Sequence, residues 1–167
     1  IDLALLGRLV AGGSALIDAA TEVPDLDTLD EAARRQPPTY VPHRNLVFLS
    51  LACAFAETAG AGDVFYGAQA QDAYGYWDCT ERFVTALNDV LALNAGRAVR
   101  VHAPLAGQSK ADVLKIGLEL GVDYGHTWTC YRGGRRPCGT CPSCRERAGA
   151  FQAAGVDDPL VSANDNA

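Results

Sequence analysis

Four cysteines crowded into one short run restrict what this chain can become. Cys130, Cys138, Cys141 and Cys144 lie in the run C-Y-R-G-G-R-R-P-C-G-T-C-P-S-C, with seven, two and two residues between them. Two overlapping C-x-x-C pairs share Cys141. A tight turn points both sulfurs of such a pair the same way, so the pair can grip one metal ion. The other two thiolates then close a tetrahedral all-sulfur shell. Gly133, Gly134, Pro137, Gly139 and Pro142 supply the turns that such a knuckle needs. A disulfide cluster and a redox C-x-x-C are the competing readings; the spacing favours zinc. Four sulfurs leave no open position for water, so the expected metal is structural.

The chain has 167 residues, 49% of them hydrophobic and 20% charged, enough for a domain with a real core. It contains no apolar run of the length a membrane helix needs and no charged-then-apolar leader, so neither a span nor secretion is expected. Reduced cysteines held on a metal fit the cytoplasm. The net charge of −6 argues against a general nucleic-acid binder. Charge is nevertheless uneven. Residues 18–31 carry six acids and no Lys or Arg, whereas the cysteine region carries Arg132, Arg135, Arg136, Arg145 and Arg147. These arginines suit either an anion or a solvated basic rim.

Taken in order, residues 1–17 read as a short helix or strand ending at Gly12-Gly13. The G-G-S there lacks the Lys or hydroxyl partner of a phosphate loop and reads as a turn. Residues 18–40, acidic and then proline-rich, read as a surface loop. Leu46–Ala59 is apolar and too long for a strand, so a buried helix is expected, with Asn45 as N-cap and Gly60 as stop. Arg44 beside the free amides of that helix suits an anion, or a surface ion pair. Cys53 reads as core. Asp63–Ala68 reads as a strand. Gln69–Cys79 then forms a loop with two Tyr, one Trp and two Asp past a strand's C-terminal end, where open α/β sheets bind ligands; packing on its own aromatics is the alternative. Cys79 receives no chemistry.

Thr80–Leu93 reads as a helix with Phe83, Leu87, Val90 and Leu91 on one face, and Asp78 with Glu81 as its cap. Arg100–Leu105 reads as a second strand, with His102 packed on it and no partner apparent. Ser109 and Asp112 form a capping box for a helix running to Leu120 and stopping at Gly121. Lys110 in its first turn opposes the helix dipole, which a bound anion would relieve. A last helix runs from about Cys141 to Ala154, and a frayed tail is expected after Gly155. Alternating helices and strands imply an α/β fold with a parallel sheet. Two strands are few for it, so either the first segment adds one or part of the sheet lies outside this chain.

The runs Tyr40–Asn45, Gln69–Cys79, His102–Leu105, Ser109–Ala111 and Thr127-Trp128-Thr129-Cys130 through Cys144 closely resemble the 7-cyano-7-deazaguanine synthase family, of the N-type ATP pyrophosphatase superfamily. The resemblance runs from Leu6 to Gly155. It implies an adenine-nucleotide-hydrolase-like, Rossmann-type parallel sheet with helices on both faces. It also implies conversion of 7-carboxy-7-deazaguanine and ammonia to 7-cyano-7-deazaguanine, the carboxylate being activated by ATP, with magnesium, then amidated and dehydrated. By the family's pattern the four cysteines hold zinc. Arg44 and Asn45 lie on the nucleotide side, and Asp72, Tyr74, Gly75 and Tyr76 near the deazaguanine. Lys110 meets phosphates or the activated carboxylate, which makes Lys110 and Asp72 the catalytic candidates. A homodimer is also implied.

Two departures stand out. His43 occupies a position where the family pattern leads one to expect glycine. The S-G-G-x-D-S loop that cradles ATP phosphates in the family is absent, so the chain reads as N-terminally incomplete and inactive alone. The resulting division is a partial nucleotide- and substrate-binding domain over 1–123, a zinc-binding subdomain over 124–155 and a flexible tail over 156–167. The competing functions are a non-catalytic zinc ribbon that binds RNA or a partner, and a related adenylating enzyme acting on another carboxylate or a tRNA base.

Overall fold

The computed structural model describes residues 2–73 and 75–162. Its elements are helices α1 (Ala4–Leu9), α2 (Glu31–Arg35) and α3 (Arg44–Ala59), strand β1 (Asp63–Phe65), helix α4 (Glu81–Leu91), strand β2 (Arg100–His102), and helices α5 (Lys110–Glu119), α6 (Pro142–Ala154) and α7 (Pro159–Ser162). Single 3-10 turns sit at Leu26–Thr28, Ala70–Ala73, Trp77–Cys79 and Tyr124–His126. The chain forms two compact units. One is Val41–Gln108; the other joins the residues up to Tyr40 with those from Ser109 onward. These boundaries differ from the sequence-drawn ones at 123 and 155.

The unit of residues 41–108 is the α/β part. β1 and β2 pair in parallel, with Val64 opposite Val101 and Phe65 opposite His102. Among the described residues the sheet has these two strands, and the first segment of the chain supplies a helix instead. Both strands are shorter than the apolar runs suggested, because the chain turns away after Phe65 and after His102. Leu49, Cys53 and Ala56 of α3, Phe83, Val84 and Leu87 of α4, and Val99 and Val101 form one core. Val90, expected on the buried stripe of α4, is instead exposed. The backbone N–H and C=O of Val101 point away from β1 and meet the side-chain amide of Asn88 on α4, both at 2.8 Å. Asn88 thus stands in for a neighbouring strand along that edge of β2. His102 does have a partner: its Nε2 lies 2.6 Å from Asp63 Oδ1, and its ring stacks on Phe65.

Two caps differ from expectation. α3 starts one residue before Asn45. Its N-cap is His43, whose φ of 54° is the left-handed conformation that glycine adopts most easily. That is the position where glycine was expected, and Asn45 falls inside the first turn. In α4, Thr80 rather than Asp78 caps, its hydroxyl accepting from Phe83 N–H at 3.1 Å. The Ser109–Asp112 capping box of α5 is formed as read, and Gly60 and Gly155 stop their helices at positive φ.

The other unit has two small cores. Leu114 of α5 packs with Ala150 and Phe151 of α6. Ala15 and Val23 pack directly on Cys130, Cys141 and Cys144. The acidic stretch is therefore not a free loop. Leu26 N–H donates to Thr140 C=O at 3.1 Å. Arg132 donates to Val23 C=O at 2.7 Å and to Asp25 Oδ1 at 2.8 Å, and Arg145 pairs with Asp27 at 3.0 Å. The acids and the arginines that the charge pattern set apart face each other here. The chain beyond Gly155 continues into α7 instead of fraying there, and Asp158 holds Arg147 through two contacts of 2.6 and 2.7 Å; the remaining tail residues lie outside the described ones. No helix is long and apolar enough to cross a membrane among the described residues.

Candidate functional site

The cysteine centre is built by a tight reversal of the backbone. Gly133, Gly134 and Gly139 all take positive φ, which folds residues 130–141 back on themselves. Pro142 in the first turn of α6 starts the helix that carries Cys144. Trp128 Nε1 donates to Cys130 C=O at 3.0 Å and fixes the lead-in. The four Sγ atoms all lie within 4.8 Å of one another, and those of Cys138 and Cys144 are 3.9 Å apart. A tetrahedral zinc shell with bonds of about 2.3 Å sets sulfurs about 3.8 Å apart, so this donor set fits the metal. Cys141 is fully buried and Cys130 and Cys144 nearly so.

Backbone amides support the sulfurs. Cys138 N–H donates to Cys130 Sγ at 3.4 Å and Cys141 N–H to Cys138 Sγ at 3.3 Å. Burial raises the Cys138 thiol, but the N–H groups of Cys141 and Thr140 outweigh it and draw it down to about 6. Burial and the neighbouring thiols push Cys144 up to about 12. Four thiols at this spacing resist joint ionisation by themselves, and a divalent cation reverses that balance.

The second site lies within the α/β unit. Arg44 Nε donates to Asn45 Oδ1 at 3.3 Å, and Asn45 Nδ2 donates to Cys79 Sγ at 3.5 Å. Tyr66 Oη donates to Asp78 C=O at 3.1 Å and lies 3.2 Å from Cys79 Sγ. Asp72 accepts from Gln69 N–H at 3.2 Å and from Gln69 Nε2 at 3.3 Å. The charge of Asp72 acts on both Tyr66 and Cys79, and that of Arg44 on Cys79. Burial is the main cause that pushes the Cys79 thiol up to about 11 and raises Tyr66 above the ordinary phenol value. Gly75 takes φ 85°, which its residue type allows, and Tyr76 is half-buried with its C=O accepting from Cys79 N–H. Tyr74 lies outside the described residues. Arg44, Asn45 and Asp72 thus share one polar cluster. Gln69, Tyr66, Asp78 and Cys79 join it without having been singled out. A tyrosine ending an apolar run and a cysteine outside the metal spacing carry no signal until the fold brings them together.

Lys110 belongs to the other unit. Its Nζ donates to Glu146 Oε2 of α6 at 2.6 Å, so a carboxylate of the chain itself meets the cation that opposes the α5 dipole.

The family model for queuosine biosynthesis protein QueC matches residues 1–155. The chain is 43% identical over 155 residues to a 7-cyano-7-deazaguanine synthase of Clostridium kluyveri, covering 89% of this chain and 67% of that protein. It is 46% identical over 163 residues to one of Chromohalobacter salexigens (98% and 63%) and 48% identical over 158 residues to one of Frankia casuarinae (90% and 65%). The chain spans about two thirds of the length of the curated relatives it matches.

Proposed function

The chain belongs to the QueC family of queuosine biosynthesis proteins, and from that premise we propose that it serves the ATP-dependent conversion of 7-carboxy-7-deazaguanine and ammonia to 7-cyano-7-deazaguanine. The observation that carries this reading is the 43–48% identity to synthases of that name across most of the chain. The two parallel strands are read as part of a nucleotide-hydrolase-like sheet with helices on both faces. The polar cluster supports the substrate assignment. Asp72 is a half-buried acceptor for ring N–H groups. Gly75 and Tyr76 follow in the same run, and Tyr74 is assigned to the deazaguanine side with them by the family's pattern. Arg44 and Asn45, in the first turn of α3, serve the nucleotide side, where guanidinium and amide N–H groups favour an anion. Lys110, at the start of α5, serves phosphate or the activated carboxylate and exchanges Glu146 for it.

The proposed chemistry has two dehydrating stages. ATP, with magnesium, would activate the carboxylate, and ammonia would displace the activated oxygen to give an amide; a second activation, of the remaining amide oxygen, and its loss with the two amide N–H protons would give the nitrile. Cys130, Cys138, Cys141 and Cys144 would hold one zinc as a brace that fixes the start of α6 against residues 14–27. A homodimeric, cytoplasmic enzyme is the setting we propose. The reading as a non-catalytic zinc ribbon leaves the polar cluster at Arg44, Asn45, Asp72 and Cys79 without a role.

An assay for nitrile formation from 7-carboxy-7-deazaguanine, ATP and ammonia tests this. The 167 residues contain no S-G-G-x-D-S loop, and phosphoryl chemistry depends on such amides. We expect no turnover from these residues by themselves, and turnover once they are joined to a βα unit bearing that loop. Turnover by the 167 residues alone overturns the first expectation; an inactive joined protein that is folded and binds ATP overturns the function.

A further inference from the structure

Gln69 carries a buried carbonyl oxygen that nothing among the described residues satisfies. The residue is 6% exposed, and its Oε1 has no hydrogen-bond partner. Its orientation is not interchangeable. Nε2 donates to Asp72 Oδ1, and a carboxylate only accepts, so a flipped amide would set oxygen against oxygen. Unpaired buried acceptors are rare in folded chains and concentrate where function needs them. This one stands beside Asp72, whose charge reaches Tyr66 and Cys79 in the polar cluster. An amide carbonyl and a carboxylate side by side form a surface of acceptors awaiting adjacent N–H donors.

We propose that Gln69 is a specificity-determining residue, its Oε1 accepting an N–H of the exocyclic 2-amine of the substrate's 2-amino-pyrimidinone edge while Asp72 accepts the adjacent ring N–H. The inference rests on the function proposed above and extends it to a choice between two rings present in one reaction. A deazaguanine presents a ring N–H and an exocyclic amine next to each other. The corresponding edge of adenine has a ring acceptor and no 2-amine, so it would set acceptor against acceptor and be refused. Oε1 is buried, so the ring reaches it only by displacing neighbouring atoms.

The test is equilibrium titration of the 167-residue chain, as wild type and as Gln69→Met, with 7-carboxy-7-deazaguanine and with its 2-deamino analogue. Wild type is expected to prefer the parent ring about tenfold or more, since the analogue leaves a buried acceptor unpaired. Gln69→Met, of similar size but without the acceptor, is expected to lose most of that preference without a lower thermal midpoint. The same preference in both proteins overturns the proposal, as does a lower midpoint with the preference intact; Oε1 then serves packing or a buried water. Should Gln69→Met fail to fold, equal affinity of wild type for the two rings overturns it. A wild type that binds both rings equally refutes the Gln69 role and leaves the substrate reading standing; binding of neither ring, by the 167 residues and by the protein joined to the loop-bearing unit alike, refutes both.

Discussion

At Arg147 an ion pair is taken almost wholly out of water. The guanidinium meets Asp158 through two contacts, with the side chains 7% and 10% exposed, and also donates to Thr127 Oγ1 and Tyr124 C=O. The pair ties α6 to the turn at Tyr124 and to α7. Removing one partner strands a buried charge, so Arg147→Ala is expected to lose about 3–5 kcal/mol in urea unfolding. Cys79 offers a second residue-scale measurement. Burial raises its thiol from 9.0 to about 11, the hydroxyl of Tyr66 opposing and Asp72 and Asp78 adding. The fold therefore favours the protonated form. That contribution is fully present below pH 9 and is lost as pH rises through about 11. Wild type should lose stability relative to Cys79→Ala across that window in thermal melts, and parallel curves would refute the assignment. His43 shows how a residue-scale oddity can be read in advance: the position was marked for glycine, and the backbone there takes φ 54°.

The edge of β2 shows what one side chain can do for an element. Asn88 supplies the donor and acceptor that Val101 would otherwise find on a third strand. Val101 is 2% exposed, so Asn88→Ala leaves two backbone groups unpaired and little room for water. A loss of about 2–4 kcal/mol is expected from the cost of two unpaired buried groups. Amide exchange checks the mechanism, because Val101 N–H should lose protection before its neighbours in the core. Asn88 was invisible as a functional position in the sequence. Asparagine on a helix surface reads as solvated unless one knows that a strand runs past it.

Across the whole unit that holds the cysteines, the four-cysteine cluster and the acidic stretch form one connected structure. Val23 packs with Cys130, Cys141 and Cys144, Arg132 binds Val23 and Asp25, and Leu26 binds Thr140. Removing the zinc proposed for these cysteines should leave four crowded thiols with no charge to hold them and loosen residues 14–31 together with 130–144. Limited proteolysis with and without a chelator checks this: new cleavage between 18 and 31 is expected on chelation, and cleavage unchanged there refutes the coupling. Cys138→Ser should show the same pattern at full metal concentration, with less than one zinc per chain by elemental analysis. Arg132 and Asp25 add an acid limit. The hydroxyl of Thr140 and the guanidinium of Arg132 hold the Asp25 carboxyl below its ordinary value, so their contribution is present above about pH 4 and fades as pH falls further.

Local chemistry determined much by itself. The C-x-x-C spacing and the glycines between the cysteines specify a sulfur cage because short-range turns alone bring those atoms together. The Ser109–Asp112 box and the stops at Gly60 and Gly155 are equally local, which is why they formed where they were read. Asn45 misled because several polar residues can serve a cap, and a one-residue shift at His43 decides which does. Only the tertiary structure could join Arg44 and Asn45 to Asp72 through Tyr66 and Cys79, set Arg132 against Asp25, bring Glu146 to Lys110, or leave Gln69 Oε1 without a donor among the described residues. Each of those depends on contacts between residues far apart in sequence, and on burial, which no spacing along the chain encodes.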